Sequence, residues 1–216
     1  MARATLGVII GNREFFPDAL VTEARADVLS LFEEMDITPI LVDPSVTKLG
    51  GVETRAEAKA CAALFDEQRA EIEGIVVVLP NFGDEKGVAD TVRMSRLDVP
   101  ILVQAYPDDV TAFTLDRRRD SFCGTISVCS DLRQYGFKYS LTERHTVPVD
   151  SPEFRADLDA FVRTCKVANG MASARLGAIG TRPDAFKTVR FSEKLLEASG
   201  VSVSVVDFSE IFGRAD

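Results

Sequence analysis

Two continuous apolar runs, Leu6-Gly7-Val8-Ile9-Ile10 and Ile75-Val76-Val77-Val78-Leu79, limit the folds open to this chain more than any other feature. A strand with one wet face alternates apolar and polar residues, whereas an unbroken run fits a strand covered on both faces. Each run stops at a turn signal, Gly11 for the first and Pro80-Asn81-Phe82-Gly83 for the other. Helix-spaced stripes lie between them. The segment Asp18 to Met35 carries Leu20, Val21, Ala24, Val28, Leu31, Phe32 and Met35, and Thr54 to Ile72 carries Ala58, Cys61, Ala62, Leu64 and Phe65. Pro39 to Val42 and Val99 to Val103 read as further strands, and Lys86 to Leu97 as a third helix. Asp120 to Gln134 reads as another helix, closed by Tyr135-Gly136, and Phe137-Lys138-Tyr139 as a short fifth strand. Strands alternating with helices of this length pair in parallel through right-handed crossovers. The expected architecture is a doubly wound, flavodoxin-like α/β sheet.

The pattern restarts at Ser151-Pro152-Glu153, an N-cap followed by proline at the first helical position. A helix is expected over Pro152 to Ala168, a strand over Ala174 to Gly180, a helix over Asp184 to Ser199 and a strand over Val201 to Val206. Phe208 to Asp216 gives no signal for a closing element. The chain therefore reads as a first α/β domain over 1–150 and the beginning of a second over 151–216. Two strands and one helix cannot cover both faces of a sheet, so the natural chain is expected to continue past Asp216, or a partner to cover the gap.

Charge and cysteine usage exclude several functions. With 25 Lys+Arg against 34 Asp+Glu the net charge is −9, which opposes binding to nucleic acid or an anionic membrane. The one local exception is the run Arg117-Arg118-Arg119. No apolar run approaches the ~20 residues of a membrane span, and the opening Met1-Ala2-Arg3 has no signal-peptide character, so a cytoplasmic location is expected. Cys61, Cys123, Cys129 and Cys165 form no CxxC pair and are read as buried reduced thiols.

In open parallel sheets, ligands bind outside the carboxyl ends of the strands. That rule selects the loops at Gly11-Asn12-Arg13, Asp43, Asn81-Phe82-Gly83, Gln104-Ala105-Tyr106 and Gly180-Thr181-Arg182. Neither a Gly-x-Gly-x-x-Gly fingerprint nor a P-loop is present, which disfavours dinucleotides and nucleoside triphosphates. Asn81, Gln104, Arg13 and Arg182, with an aromatic face at Phe82 or Tyr106, suit a small polyhydroxylated ligand. Amides and guanidinium groups pair with hydroxyls while a ring covers the apolar side of the sugar. Nucleophilic catalysis has little support: the single histidine, His145, sits in a polar stretch beside Glu143 and Arg144.

Four stretches, Leu6 to Arg13 (LGVIIGNR), Arg119 to Gly124 (RDSFCG), Gln134-Tyr135-Gly136 and Ile179 to Pro183 (IGTRP), together resemble the amino-terminal portion of L-fucose/L-arabinose isomerase-like proteins. The resemblance runs along essentially all of the chain and covers less than half of a full family chain. It implies aldose–ketose isomerisation with Mn²⁺, on carboxylates and a histidine that belong to the later part of such chains. No catalytic residue or metal ligand is therefore assigned here, and none of the implied Mn²⁺ is expected to be bound by this portion. The resemblance also implies a homo-oligomer, often a hexamer, in which the first domain lies over a neighbour's active site. Arg13 and Phe82 would then touch that neighbour's monosaccharide, and loop geometry adds Asn81 and Gln104. Thr125 stands where the family more often has Lys. The rival reading is a stand-alone sugar- or polyol-binding α/β module without catalysis.

Overall fold

The computed structural model describes residues 3–111 and 114–215, so Met1, Ala2 and Asp216 of the segments read above lie outside the described residues. It divides into two compact units, Met1–Cys165 and Lys166–Asp216. The first contains β1 (Ala4–Ile10), α1 (Asp18–Glu34), β2 (Ile37–Ile40), α2 (Arg55–Glu67), β3 (Gly74–Leu79), α3 (Glu85–Ser95), β4 (Ile101–Ala105), α4 (Ser121–Gln134) and β5 (Ser140–Leu141). Its sheet has the order β2-β1-β3-β4-β5 with every pair parallel. This is the flavodoxin-like doubly wound arrangement, with strand order reversing between β1 and β3.

The unbroken apolar runs bury both faces of the sheet, as their composition requires. On one face Leu6, Val8, Ile10, Val76, Val78 and Leu102 pack with Val21, Val28 and Phe32 of α1. Phe154, Leu158, Phe161, Val162 and Cys165 of α5 (Pro152–Met171) complete that layer. On the other face Ile9, Ile75, Val77, Leu79, Ile101 and Val103 meet Cys61 and Phe65 of α2, Val88 and Val92 of α3, and Val128 and Leu132 of α4. The helix that opens at Pro152 thus supplies its apolar stripe to the first unit's core, and the division between units falls at Cys165, within α5.

The second unit holds β6 (Arg175–Ile179), α6 (Glu193–Glu197), β7 (Ser202–Val206) and α7 (Phe208–Ala215). The strands form a two-stranded parallel sheet. Its apolar residues stay largely exposed, among them Leu176, Ile179, Leu195, Val205, Phe208 and Phe212.

Several elements differ from the sequence expectation. The helix expected over Asp184 to Ser199 is only a 3-10 turn at Lys187–Val189 followed by the short α6. Ser192 interrupts it by capping α6, its side chain accepting from the Leu195 N–H. Phe208 to Ala215, where no closing element is signalled, forms α7. α5 continues through Asn169-Gly170 to Met171 instead of ending at Ala168. The second strand starts earlier, at Ile37, and the fifth lies at Ser140–Leu141 rather than Phe137 to Tyr139. Phe137 and Tyr139 spend their rings against the core instead. Cys61, Cys129 and Cys165 are buried free thiols, but Cys123 is exposed, because the first turn of α4 turns that position outward. Burial pushes the Cys61 and Cys165 thiols up to about 12 and Cys129 to about 11. Among the described residues no helix is long and apolar enough to cross a membrane.

Candidate functional site at the switch point

The carboxyl ends of β1 and β3 diverge where the strand order reverses, and the residues that follow them converge on one rim. Asn12 follows Ile10 by two positions and Asn81 follows Leu79 by two, so each side chain starts two residues past the end of its strand, and the strands are adjacent and parallel. The Asn81 amide N–H donates to the Asn12 side-chain oxygen at 2.8 Å. Asn12 in turn donates to the Glu53 carboxylate at 2.8 Å. The Asn81 oxygen accepts the Gly83 N–H at 3.0 Å, closing a tight turn around Phe82. Gly83 sits at φ 70°, a conformation glycine adopts without cost. Burial raises the Glu53 carboxyl above its ordinary value, while the Asn12 hydrogen bond and Lys48 pull it down.

That turn carries an arginine–aromatic pair. Arg13 Nε donates to the Gly83 carbonyl at 2.9 Å, and a second guanidinium nitrogen pairs with Glu85, with Asp84 at 3.8 Å. These contacts lay the guanidinium over the Phe82 ring, 4.5 Å from its centroid. Phe82 stacks on Phe16 at 6.3 Å, and Arg118 covers the Phe16 ring at 5.6 Å. Phe15, 74% exposed, tilts against Phe16 at the edge of this ladder. From behind, α4 presses on the turn: a Cβ on Gly124 would lie 1.9 Å from the Phe82 carbonyl oxygen, so only glycine allows the approach. Arg13 and Phe82 are both half-buried. The guanidinium keeps further N–H donors for hydroxyl oxygens, and the ring offers an apolar surface beside them.

The four residues singled out from the sequence separate into two pairs. Arg13 and Phe82 are in contact and reach the surface. Asn81 and Gln104 are both 0% exposed and bound within the protein. Gln104 donates to the Val147 carbonyl at 2.6 Å, tying β4 to the loop before α5, and its Oε1 has no hydrogen-bond partner among the described residues. Tyr106, the alternative aromatic face, is buried: its hydroxyl donates to Asp27 at 2.8 Å and Arg119 covers its ring at 4.8 Å. Burial and the neighbouring Asp27 raise the Tyr106 phenol, and burial lowers Arg119. Beside them a cavity of about 290 Å³ is lined by Tyr106, Pro107, Asp108, Arg117, Arg119 and Pro148. The arginine run is thus divided among separate tasks. Arg117 pairs with Glu23 and Arg118 with Asp120, while Arg119 donates to the Pro80 carbonyl at 2.8 Å. His145 is exposed, 5.4 Å from the Phe122 ring.

Sequence reasoning overlooked Asn12 as a site residue, although its offset from the strand end, shared with Asn81, was a readable signal. The second unit repeats part of the arrangement. Arg182 follows Ile179-Gly180-Thr181, covers the Phe191 ring at 4.0 Å and pairs with Glu193 at 3.1 Å.

The implied Mn²⁺ finds no fit among these side chains. Among the described residues no group of three or more His, Cys, Asp or Glu side chains could hold a metal ion. What the rim offers is positioned donors and ring faces.

The fold is a doubly wound α/β domain that carries the Arg13–Phe82 rim at its topological switch point. Residues 7–172 match the model of the fucose/sulfoquinovose isomerase N-terminal domain, and the chain belongs to that family. No curated protein matches the chain.

Proposed function

We propose that this chain is the substrate-covering and assembly portion of a metal-dependent aldose–ketose isomerase acting on an L-fucose- or L-arabinose-type sugar. The observation that carries the reading is the Arg13 guanidinium held 4.5 Å over Phe82 at the switch point, with both side chains at the surface. A sugar needs hydrogen-bond donors directed at hydroxyls and a ring against its apolar face, and this pair offers both. In a cytoplasmic homo-oligomer, the rim covers the monosaccharide in a neighbouring subunit's active site. Mn²⁺ would polarise the carbonyl and hydroxyl oxygens there, on ligands that the rim does not contribute. Arg13 orients the sugar through its hydroxyls, and Phe82, backed by the buried Phe16, excludes water from one side of it. The parallel β6-β7 pair supports the reading of residues 151–216 as part of a second α/β unit.

The 216-residue chain supplied with Mn²⁺ and L-fucose or L-arabinose is expected to form no ketose, and measurable turnover contradicts the division of labour. In the complete isomerase, Arg13→Ala is expected to raise KM by about ten- to hundred-fold, the worth of one charge-assisted hydrogen bond. An unchanged KM for both Arg13→Ala and Phe82→Ala refutes the sugar contact.

A further inference from the structure

Behind the Arg13–Phe82 pair the hydrogen bonds form a closed ring. Arg13 Nε donates to the Gly83 carbonyl, the Gly83 N–H donates to Asn81, and Asn81 donates to Asn12, which is joined by its peptide bond to Arg13. From the ring Asn12 donates its amide outward to Glu53, an exit separate from the pairing of Arg13 with Glu85. Asn12 is 3% exposed and Asn81 0%, so neither amide can turn to water for a replacement partner. Backbone bonds brace the exit, with Asn12 N–H on the Val52 carbonyl at 3.0 Å and Glu53 N–H on the Glu57 carboxylate at 3.0 Å.

The chemistry of Glu53 gives the ring its direction. An ionised carboxylate only accepts, so it takes the NH₂ end of the Asn12 amide and leaves the Asn12 oxygen facing Asn81. Asn81 must then present its own NH₂ to Asn12, which turns its oxygen onto the Gly83 N–H. Reversal of Asn12 would set its oxygen against the carboxylate and NH₂ against NH₂, and reversal of Asn81 would set oxygen against oxygen and NH₂ against the Gly83 N–H. One half-buried carboxylate therefore decides which end of each amide meets the turn that carries Phe82.

We infer that Glu53, Asn12 and Asn81 are positioning residues for sugar binding, acting as a polarised relay that fixes the Phe82–Gly83 turn and through it the Arg13 guanidinium over the Phe82 ring. The inference rests on the proposed sugar contact of Arg13 and Phe82, and it assigns Asn81 a role behind that contact, not at the ligand. Neutral packing would have served to bury these positions. A directional chain of amides ending at a carboxylate specifies orientation as well as burial.

The test uses the 216-residue chain and two readouts. The first is the side-chain Nε–Hε resonance of Arg13, which the Phe82 ring current displaces and which Phe82→Leu returns to its unstacked position. The second is the affinity for L-arabinitol as the probe. Glu53→Ala is expected to move the Arg13 resonance toward that of Phe82→Leu and to weaken L-arabinitol binding several-fold. Glu53→Gln, whose amide oxygen still accepts from Asn12, is expected to restore both. Asn12→Ala and Asn81→Ala should do as Glu53→Ala does; should either fail to fold, the Glu53 pair still decides, since Glu53 lies at the edge of the ring and not in the core. An Arg13 resonance unmoved in Glu53→Ala, with only the melting temperature lowered, overturns the relay. Binding lost in Arg13→Ala but kept in Glu53→Ala overturns it also, and leaves the sugar contact standing. A moved resonance with L-arabinitol bound equally by Arg13→Ala and the parent overturns the sugar contact instead, and with it the binding role of the relay, while the relay's hold on the turn survives.

Discussion

The same short phrase ends the first strand of each unit, and the two copies are held in different ways. Ile10-Gly11-Asn12-Arg13 and Ile179-Gly180-Thr181-Arg182 both send the glycine N–H to a valine carbonyl on the paired parallel strand, Val78 and Val206, at 2.9 Å in each case. Both then fold an arginine over a phenylalanine and pair it with the first residue of a helix, Glu85 or Glu193. The third position separates them. Asn12 is buried in a ring of hydrogen bonds beneath a sheet covered on both faces, whereas Thr181 is exposed and follows a strand with little cover. The local phrase brings an arginine and a ring together in both units, and in the first a buried hydrogen-bonded ring backs the pair.

Core substitutions should separate the units most sharply. Phe32 is fully buried between α1 and the sheet, so Phe32→Ala should lower the stability of the first unit by about 3–5 kcal/mol. Phe212→Ala removes a ring that is 66% exposed and should change stability by no more than about 0.5 kcal/mol. Chemical denaturation of the two variants measures the contrast, and equal losses would show that the α7 ring is as deeply packed as Phe32.

A smaller effect comes from two glycines. Gly124→Ala forces a Cβ onto the Phe82 carbonyl and should cost about 1–3 kcal/mol while displacing the Arg13–Phe82 pair. Gly177 of β6 has nothing within 4 Å of an added Cβ, so Gly177→Ala should leave stability equal or raise it by about 0.5–1 kcal/mol. Equal destabilisation by both would break the claim that only the first rim is tightly backed.

The smallest effect is a pH dependence at Glu53. Its folded value lies above the ordinary glutamate value, chiefly through burial, with Glu57 and Glu14 adding to the rise. The folded state thus holds a proton that the unfolded chain has already released. The stability this group contributes is complete below the ordinary glutamate value and is lost as pH rises through the raised folded value. Glu53→Gln should therefore be nearly matched with the parent in acid and gain on it as pH rises through that window, read from melting temperatures across the range. A parent that instead gains on Glu53→Gln with rising pH would reverse the sign of the burial effect.

The sequence made the sheet legible where composition alone decides. Leu6–Ile10 and Ile75–Leu79 have no polar face to show to water, and the stripe from Leu20 to Phe32 has one helical face to bury. It was less legible where pairing or capping decides. The fifth strand is defined by Ser140 and Leu141 meeting Leu102 and Val103, which the side chains of Phe137 and Tyr139 do not reveal. The broken helix after Asp184 depends on the cap at Ser192. Within the rim, Arg13 and Phe82 could be picked out because each follows a strand end. The inward turn of Asn81 and Gln104 could not, since their partners Asn12 and Val147 lie 69 and 43 residues away in the chain.

The most direct test of the central claim is a titration of the 216-residue chain with L-arabinitol, followed at the side-chain resonances of Arg13 and Phe82. The account predicts saturable shifts at these two residues that vanish in Arg13→Ala. Saturable binding that leaves both resonances unmoved and persists in Arg13→Ala would contradict it.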